Sequence, residues 1–486
     1  MTIHPIDILI FFIFIIGTFL FGLSFARKSK NVSEYTSGGG NVPGFVVGMS
    51  IFATYVSSIS FLALPGSAFS GNWNSLVFSI SIPFAIIIAA KYFVPFYRNI
   101  NSISAYSFLE EKFGYWARAY TAACYLLTQI ARIGSVLFLL ALALNSMLGW
   151  SIPLIIITTG LLVVVYSTIG GIKAVLWNDA VQGTILIIGA ILCAIILIVS
   201  LPGGFDQFVS VGKEFDKFSL GSFGTELNMP TFWVTLIYGL FINLQNYGID
   251  QNYIQRYKSA KNEKSAKSSA LFGGLLYVPV SFLFFVVGTA LFVYYQTHQN
   301  LLPESFAGDQ VFPYFIVNGL PIGVTGIMIA AILAAGMSTL STSINSSATI
   351  ILTDFFEHKR KKDLTEIQRM KFLYSMSLLI GVLGIGIGLA MMSVQSALDA
   401  WWSMASVFSG GMLGLFLLGY FSRKTNSISK AYALSGVIAG VILIAWLSLS
   451  SQTIFHNYLA IVFGTIIIFV IGFLARFILP KKQKSV

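Results

Sequence analysis

Three ionisable side chains stand within or at the start of long apolar runs: Arg132, Asp179 and Asp250. A charge at membrane depth costs several kcal/mol by insertion scales, and such residues face partners, substrates or ion paths. Arg132 lies deep in the run 115–148, too far from either end for its stem to reach an interface comfortably. Its planar fork suits a carboxylate. Asp179 is nearer the start of its run and reads equally as an interfacial residue or a cation ligand. Asp250 comes shortly before Arg256 and reads as a polar residue near a helix end.

Hydroxyls form the second chemical pattern. In AAGMSTLSTSINSSAT (334–349), Ser338, Ser341, Thr342 and Asn345 recur at i, i+3, i+4 and i+7, which is one face of a helix. Small polar residues also serve plain helix packing in membranes. The density here points further, because a hard monovalent cation takes hydroxyl and carbonyl oxygens with at most one carboxylate. FATYVSSIS (52–60) carries another cluster, Thr54, Ser57, Ser58 and Ser60 around Tyr55, followed by Pro65–Gly66. A third interruption is NLQNYGIDQ (243–251).

The elements that hold these residues are membrane helices. The 486 residues are 56% hydrophobic and only 10% charged, and the mean hydropathy is +0.83; a soluble chain carries about 25% charged residues. Apolar runs of spanning length fall at 6–26, 45–69, 75–97, 115–148, 152–172, 179–201, 231–256, 268–296, 321–353, 370–393, 398–422, 427–449 and 455–478. That predicts thirteen helices, with the termini on opposite sides.

The net charge of +11 sits in alternate loops, which is a topology signal and not a nucleic-acid one. One set of loops holds Arg27, Lys28, Arg98, Lys173, Arg256, Lys258, the run Lys359–Lys362, Arg423 and the tail with Lys481, Lys482 and Lys484. The opposite set holds Lys213 and Lys217 among four acids. The N-terminus is therefore expected outside and the C-terminus cytoplasmic. The first run lacks a preceding basic residue and reads as a retained helix. Cys124 and Cys193 lie in apolar runs and offer no disulfide framework. The four histidines lie near termini or loops, with no nucleophile–base pair or metal cluster, so an enzyme is not expected.

Two interrupted helices five helices apart are the pattern of an inverted-repeat transporter, in which unwound backbone at the midplane binds ions and substrate. This places the repeats at helices two to six and seven to eleven of one transporter domain spanning 1–486. In residue ranges the division is a leading helix at 6–26, a first five-helix repeat at 45–256, a second repeat plus one flanking helix at 268–449, and a last helix at 455–478. Those ranges leave the seventh helix, 231–256, with the first block.

GGIKAVLWNDAVQG (170–183) closely resembles the signature of the sodium/solute symporter family. TSGGGNVPGFVVGMSIFAT near the start, QRY at 255–257 and GLFLLGYFSRK (414–424) support the likeness, which spans nearly the whole chain. It implies an all-α integral membrane protein with a LeuT-like core of ten helices and flanking helices. Within the family the chain is most similar to bacterial sodium/sialic acid symporters. The resemblance implies one sodium site from backbone carbonyls of Ala53, Val56 and Ala335 with the hydroxyls of Ser338 and Thr339. It implies a second from Asp179, Ser338, Ser341 and Thr342, hence two sodium ions.

The same likeness assigns Arg132 to a substrate carboxylate and Ser57 and Ser60 to its hydroxyl partners. Tyr55 and Ser79 depart from the sialic acid pattern, standing where those proteins have Thr and Gln. The expected function is sodium-coupled import of a small organic solute, sialic acid first, by alternating access across a bacterial inner membrane. A neutral sugar or another small carboxylate remains the alternative. A passive channel is disfavoured by the broken helices. Beyond substrate and lipid bilayer, no nucleic acid and no obligate protein partner are expected.

Overall fold

The computed structural model describes residues 3–303, 308–359, 364–393, 411–422, 430–449 and 454–478. Every longer element among them is helical. The leading helix α1 (Pro5–Ser24) and the short α2 (Val32–Ser37) precede a broken pair, α3 (Gly44–Tyr55) and α4 (Ser58–Ser70). Then come α5 (Trp73–Arg98), α6 (Tyr115–Leu148) and α7 (Ile152–Val199). Outside the bundle, α8 (Gly204–Glu214) leads to a second broken pair, α9 (Phe232–Ile249) and α10 (Gln251–Ser259). The chain continues through α11 (Glu263–Thr297), α12 (Gly308–Asn318), α13 (Val324–Phe356) and α14 (Glu366–Ser393). It ends with α15 (Met412–Phe421), α16 (Lys430–Leu449) and α17 (Leu459–Ile478).

Among the described residues, eight helices are long and apolar enough to cross a bilayer, or nine with the α3/α4 pair as one span. The expected runs 152–172 and 179–201 join into the 48-residue α7. At about 1.5 Å per residue, α7 is twice as long as one crossing needs. Gly171 divides it, with φ 57° and ψ −158°. A side chain is excluded there twice over, by the positive φ and by the Cα of Tyr35, which a Cβ would meet at 3.0 Å. The expected run 398–422 is described only from residue 411; its first part lies outside the described residues.

The two broken pairs share a device. At the first, Val56 leaves helical geometry (ψ 119°) and Ser57 restarts the chain as N-cap, accepting from the Ser60 amide. The two halves are bent by 53°. At the second, Asp250 (ψ 128°) caps α10 by accepting from the Asn252 amide at 2.7 Å. Ser and Asp satisfy the orphan amides of a new helix N-terminus, so the interruption needs no water from the bilayer.

Helix α13 is the central column: nearly every residue from Thr325 to Ile350 is buried. By contrast α1 exposes Ile6, Leu9, Ile13, Ile16 and Leu20, the apolar surface expected of a lipid-facing helix. Close packing of α3 on α11 depends on Gly273, where a Cβ would lie 2.4 Å from the Gly48 carbonyl. Basic residues from separate loops converge at one end, where Arg98, Arg118, Lys258 and Arg369 line a single cavity. At the other, Lys217 donates to the Phe69 and Gly71 carbonyls at 2.7 and 3.0 Å, closing the end of α4. Its burial pushes the ammonium pKa down.

Candidate functional site

The break between α3 and α4 opens onto a cavity of about 580 Å³, within the range of small-ligand sites. All five residues expected to meet substrate line it: Tyr55, Ser57, Ser60, Ser79 and Arg132. Arg132 donates to the Thr54 carbonyl at a long 3.4 Å, which leaves most of the guanidinium's donors for a ligand. The two residues that depart from the expected pattern are engaged elsewhere. Tyr55 donates its hydroxyl to Asn243, which itself donates to Ser81 at 2.9 Å. Its ring stacks on Tyr247 and meets Tyr277 edge-on. Ser79 pairs with Ser281 at 2.7 Å.

The oxygens expected to form the first cation site gather at the end of α3. A continuous helix would use the Ala53 carbonyl internally; here it accepts from Ser338 Oγ at 2.9 Å. The Ala335 carbonyl accepts from Ser338 and Thr339, both at 3.2 Å. Val56 stands at the break itself, fully buried. The arrangement offers carbonyl and hydroxyl oxygens with no charge, from helices in opposite halves of the chain.

The second set is different. Asp179 is fully buried within α7, and not interfacial. Its Oδ2 accepts from Ser50 at 2.5 Å and from Arg256 Nη2 at 2.9 Å. That same Nη2 donates to Thr342 at 2.6 Å, while Arg256 Nε donates to Ser50 at 2.8 Å. Of the four residues expected to share a cation, the structure links Asp179 to Thr342 through Arg256. Ser341 donates to the Ser338 carbonyl at 3.2 Å, and Ser338 Oγ belongs to the first set.

Arg256 is the residue that sequence reasoning missed, having been counted with the basic loop after α10. It is 0% exposed because a buried carboxylate without a counter-charge is strongly destabilising. Its spacing from Asn252, whose carbonyl accepts at 2.7 Å, is the i, i+4 signal that could have turned it inward. Asp250 needs a parallel correction. It is an end residue, as expected, but the end lies at the break, and Asp250 lines the cavity with Arg132.

Other hydroxyls of α13 serve packing. Ser343 donates to Gln129 at 2.7 Å, Ser346 bonds Asn252 and Tyr125, and Thr349 accepts from Gln255 at 3.0 Å. The α13 residues from Ser343 onward hold α6 and α10; those nearer Ser338 face the break.

The sodium:solute symporter family profile matches residues 35–440. The sodium/sialic acid symporter NanT of Aliivibrio fischeri is 33% identical over 93% of this chain and 89% of its own. The sodium/sialic acid symporter SiaT of Proteus mirabilis is 31% identical over 99% and 97%. A solved substrate-bound, outward-open state of a Na+-coupled sialic acid symporter superposes with a TM-score of 0.93 at 29% identity, covering 99% of this chain and 100% of that one. With an uncharged oxygen cluster joining two helices beside a solute-sized cavity, and likeness along nearly its whole length, the chain belongs to the sodium:solute symporter family, as a multi-pass sodium-coupled membrane transporter and not an enzyme.

Proposed function

We propose that the chain imports sialic acid with two sodium ions across a bacterial inner membrane. The observation that carries this reading is Arg132, directed to a cavity it shares with Ser57 and Ser60 at the break beside the first cation site. Its guanidinium forms a bidentate, charge-assisted pair with the substrate carboxylate, and the two serines take up neighbouring polar groups. A sodium held by Ala53, Val56, Ala335, Ser338 and Thr339 fastens α3 to α13. Coupling follows if that ion favours the substrate-ready state and is released when α3 and α13 part.

A second sodium at Asp179 makes the cycle electrogenic: two cations with one monoanion move one net charge. The membrane potential then adds about 2.3 kcal/mol per 100 mV. The chain works as a single domain of two five-helix repeats, each opened by one broken helix.

A second reading, import of another small carboxylate, is favoured by one observation. Tyr55 and Ser79 both engage in internal bonds, and so offer little to the polar far end of a sugar acid. Uptake in proteoliposomes, competed with sialic acids, hexoses and short carboxylates with and without sodium, separates these. Competition by sialic acid that Arg132→Lys weakens supports the first reading; sialic acid that fails to compete while a short carboxylate does overturns it.

A further inference from the structure

Two breaks interrupt the helices beside the cavity, and their caps differ in charge. Ser57 caps α4 with a neutral hydroxyl, whereas Asp250 caps α10 with a carboxylate oxygen that accepts from the Asn252 amide at 2.7 Å. Ser, Asn and Asp cap about equally well, so capping alone does not account for a charge at a depth where charges are costly. Nor is Asp250 neutralised in the manner of Asp179 and Asp354, which pair with Arg256 at 2.9 Å and Arg118 at 2.6 Å. Among the described residues, Asp250 has no ion-pair partner.

Asp250 instead lines the cavity, half-buried, together with Arg132. Arg132 gives one long bond to the Thr54 carbonyl. The cavity therefore holds a cation and an anion that do not pair with each other. A guanidinium only donates, and an ionised carboxylate only accepts. A bare carboxylate seated on Arg132 would leave Asp250 desolvated with nothing to accept from. A carboxylate that also carries hydroxyl or amide N–H groups satisfies both residues at once.

We infer that Asp250 determines specificity: it accepts from hydroxyl or amide N–H groups of the substrate while Arg132 holds the carboxylate, so the site selects donor-rich carboxylates and rejects short ones without donors. This rests on the Arg132 clamp of the proposed function and bears on its second reading. The polar far end of a sugar acid, which Tyr55 and Ser79 leave unserved, is met from the start of α10. A site built to bond a donor rejects the analogue lacking it, because its own buried group is then left unpaired. Repulsion between Asp250 and a substrate carboxylate acts on every anionic substrate alike and does not decide between them.

The test uses the full chain in detergent at saturating sodium, with melting temperature titrated against sialic acid and against pyruvate, a carboxylate without donors. Asp250→Asn keeps the cap and removes the charge. It is expected to raise half-maximal sialic acid about tenfold while half-maximal pyruvate falls, so the preference between the two narrows. The sodium-induced melting shift in the absence of substrate is expected to stay as in the wild type. If Asp250→Asn does not fold, Asp250→Ser, a cap like Ser57, is read in the same way. Half-maximal sialic acid that does not rise, or that rises with pyruvate by the same factor, overturns the inference; wild-type binding of sialic acid then leaves the transport reading standing. Loss of the sodium-induced shift in the variant makes Asp250 a structural cap alone and also overturns it. A wild-type protein that responds to pyruvate and not to sialic acid, or to neither, overturns the inference together with the sialic acid reading.

Discussion

The two proposed cation sites share the helix α13, about a turn apart, yet are made of opposite materials. The first consists of neutral oxygens, Ala53 and Ala335 carbonyls with Ser338 and Thr339 hydroxyls, drawn together across a helix break. The second is organised around a fully buried ion pair, Asp179 with Arg256. A neutral site depends on the separation of α3 from α13 and therefore reports the conformation of the transporter. The charged site depends on local charge balance, and it too touches α3, through Ser50, which bonds both Asp179 and Arg256. On the proposed reading, coupling rests mainly on the first site and steepness in sodium on having a second.

The largest test breaks the charged site. Arg256→Met leaves Asp179 buried without its partner, a loss of about 3–5 kcal/mol, read as a large drop in melting temperature. Combining it with Asp179→Asn removes both charges and is expected to recover most of that stability, without restoring the second ion. A double variant that melts as low as the single one would show that the pair is not the stabilising unit.

Ser338→Ala comes next. It removes the one hydroxyl bonded to both the Ala53 and Ala335 carbonyls, and sodium-driven uptake is expected to fall by on the order of 100-fold at fixed sodium. Asp179→Asn sharpens the contrast: it is expected to lower the sodium Hill coefficient from near two to near one while substrate-driven uptake persists at high sodium. Equal effects of the two variants on the Hill coefficient would erase the difference between the sites. Arg132→Lys keeps the charge and loses the fork. About a tenfold weakening of substrate affinity at saturating sodium is expected, with the sodium-induced melting shift in the absence of substrate unchanged.

The helix break beside the proposed neutral site was legible in the sequence, its ligands only through the family resemblance, and the proposed charged site was half legible, for a physical reason. Broken helices announce themselves by polar residues where lipid would reject them, so FATYVSSIS and the stripe from Ser338 could be read directly. Asp179 was legible as a costly charge and as part of GGIKAVLWNDAVQG. Its partner was not, because Arg256 precedes Lys258, Lys261, Lys264 and Lys267, and linear order cannot tell an inward arginine from a basic loop one turn later. Asp250 was obscured in the same way: the end it caps is a break between two helices and not the end of a run. The density of hydroxyls in 334–349 has a second source, since Ser343, Ser346 and Thr349 bond Gln129, Asn252 and Gln255 and join helices.

The smallest effect tests how far the neutral site reaches into the cavity. Tyr55 is the last residue of α3, two beyond Ala53, and its hydroxyl bonds Asn243 on α9. Through that bond the cation-bearing end of α3 is joined to the helix that carries the second break. Tyr55→Phe keeps the ring against Tyr247 and Tyr277 and removes the bond, a change of about 1 kcal/mol. If the bond steadies the end of α3, half-maximal sodium should rise about fivefold together with half-maximal substrate. A shift in substrate alone would make Tyr55 a wall of the pocket and nothing more. The direction of that split decides whether the residue that departs from the sialic acid pattern alters what the transporter binds or how tightly sodium and substrate are coupled.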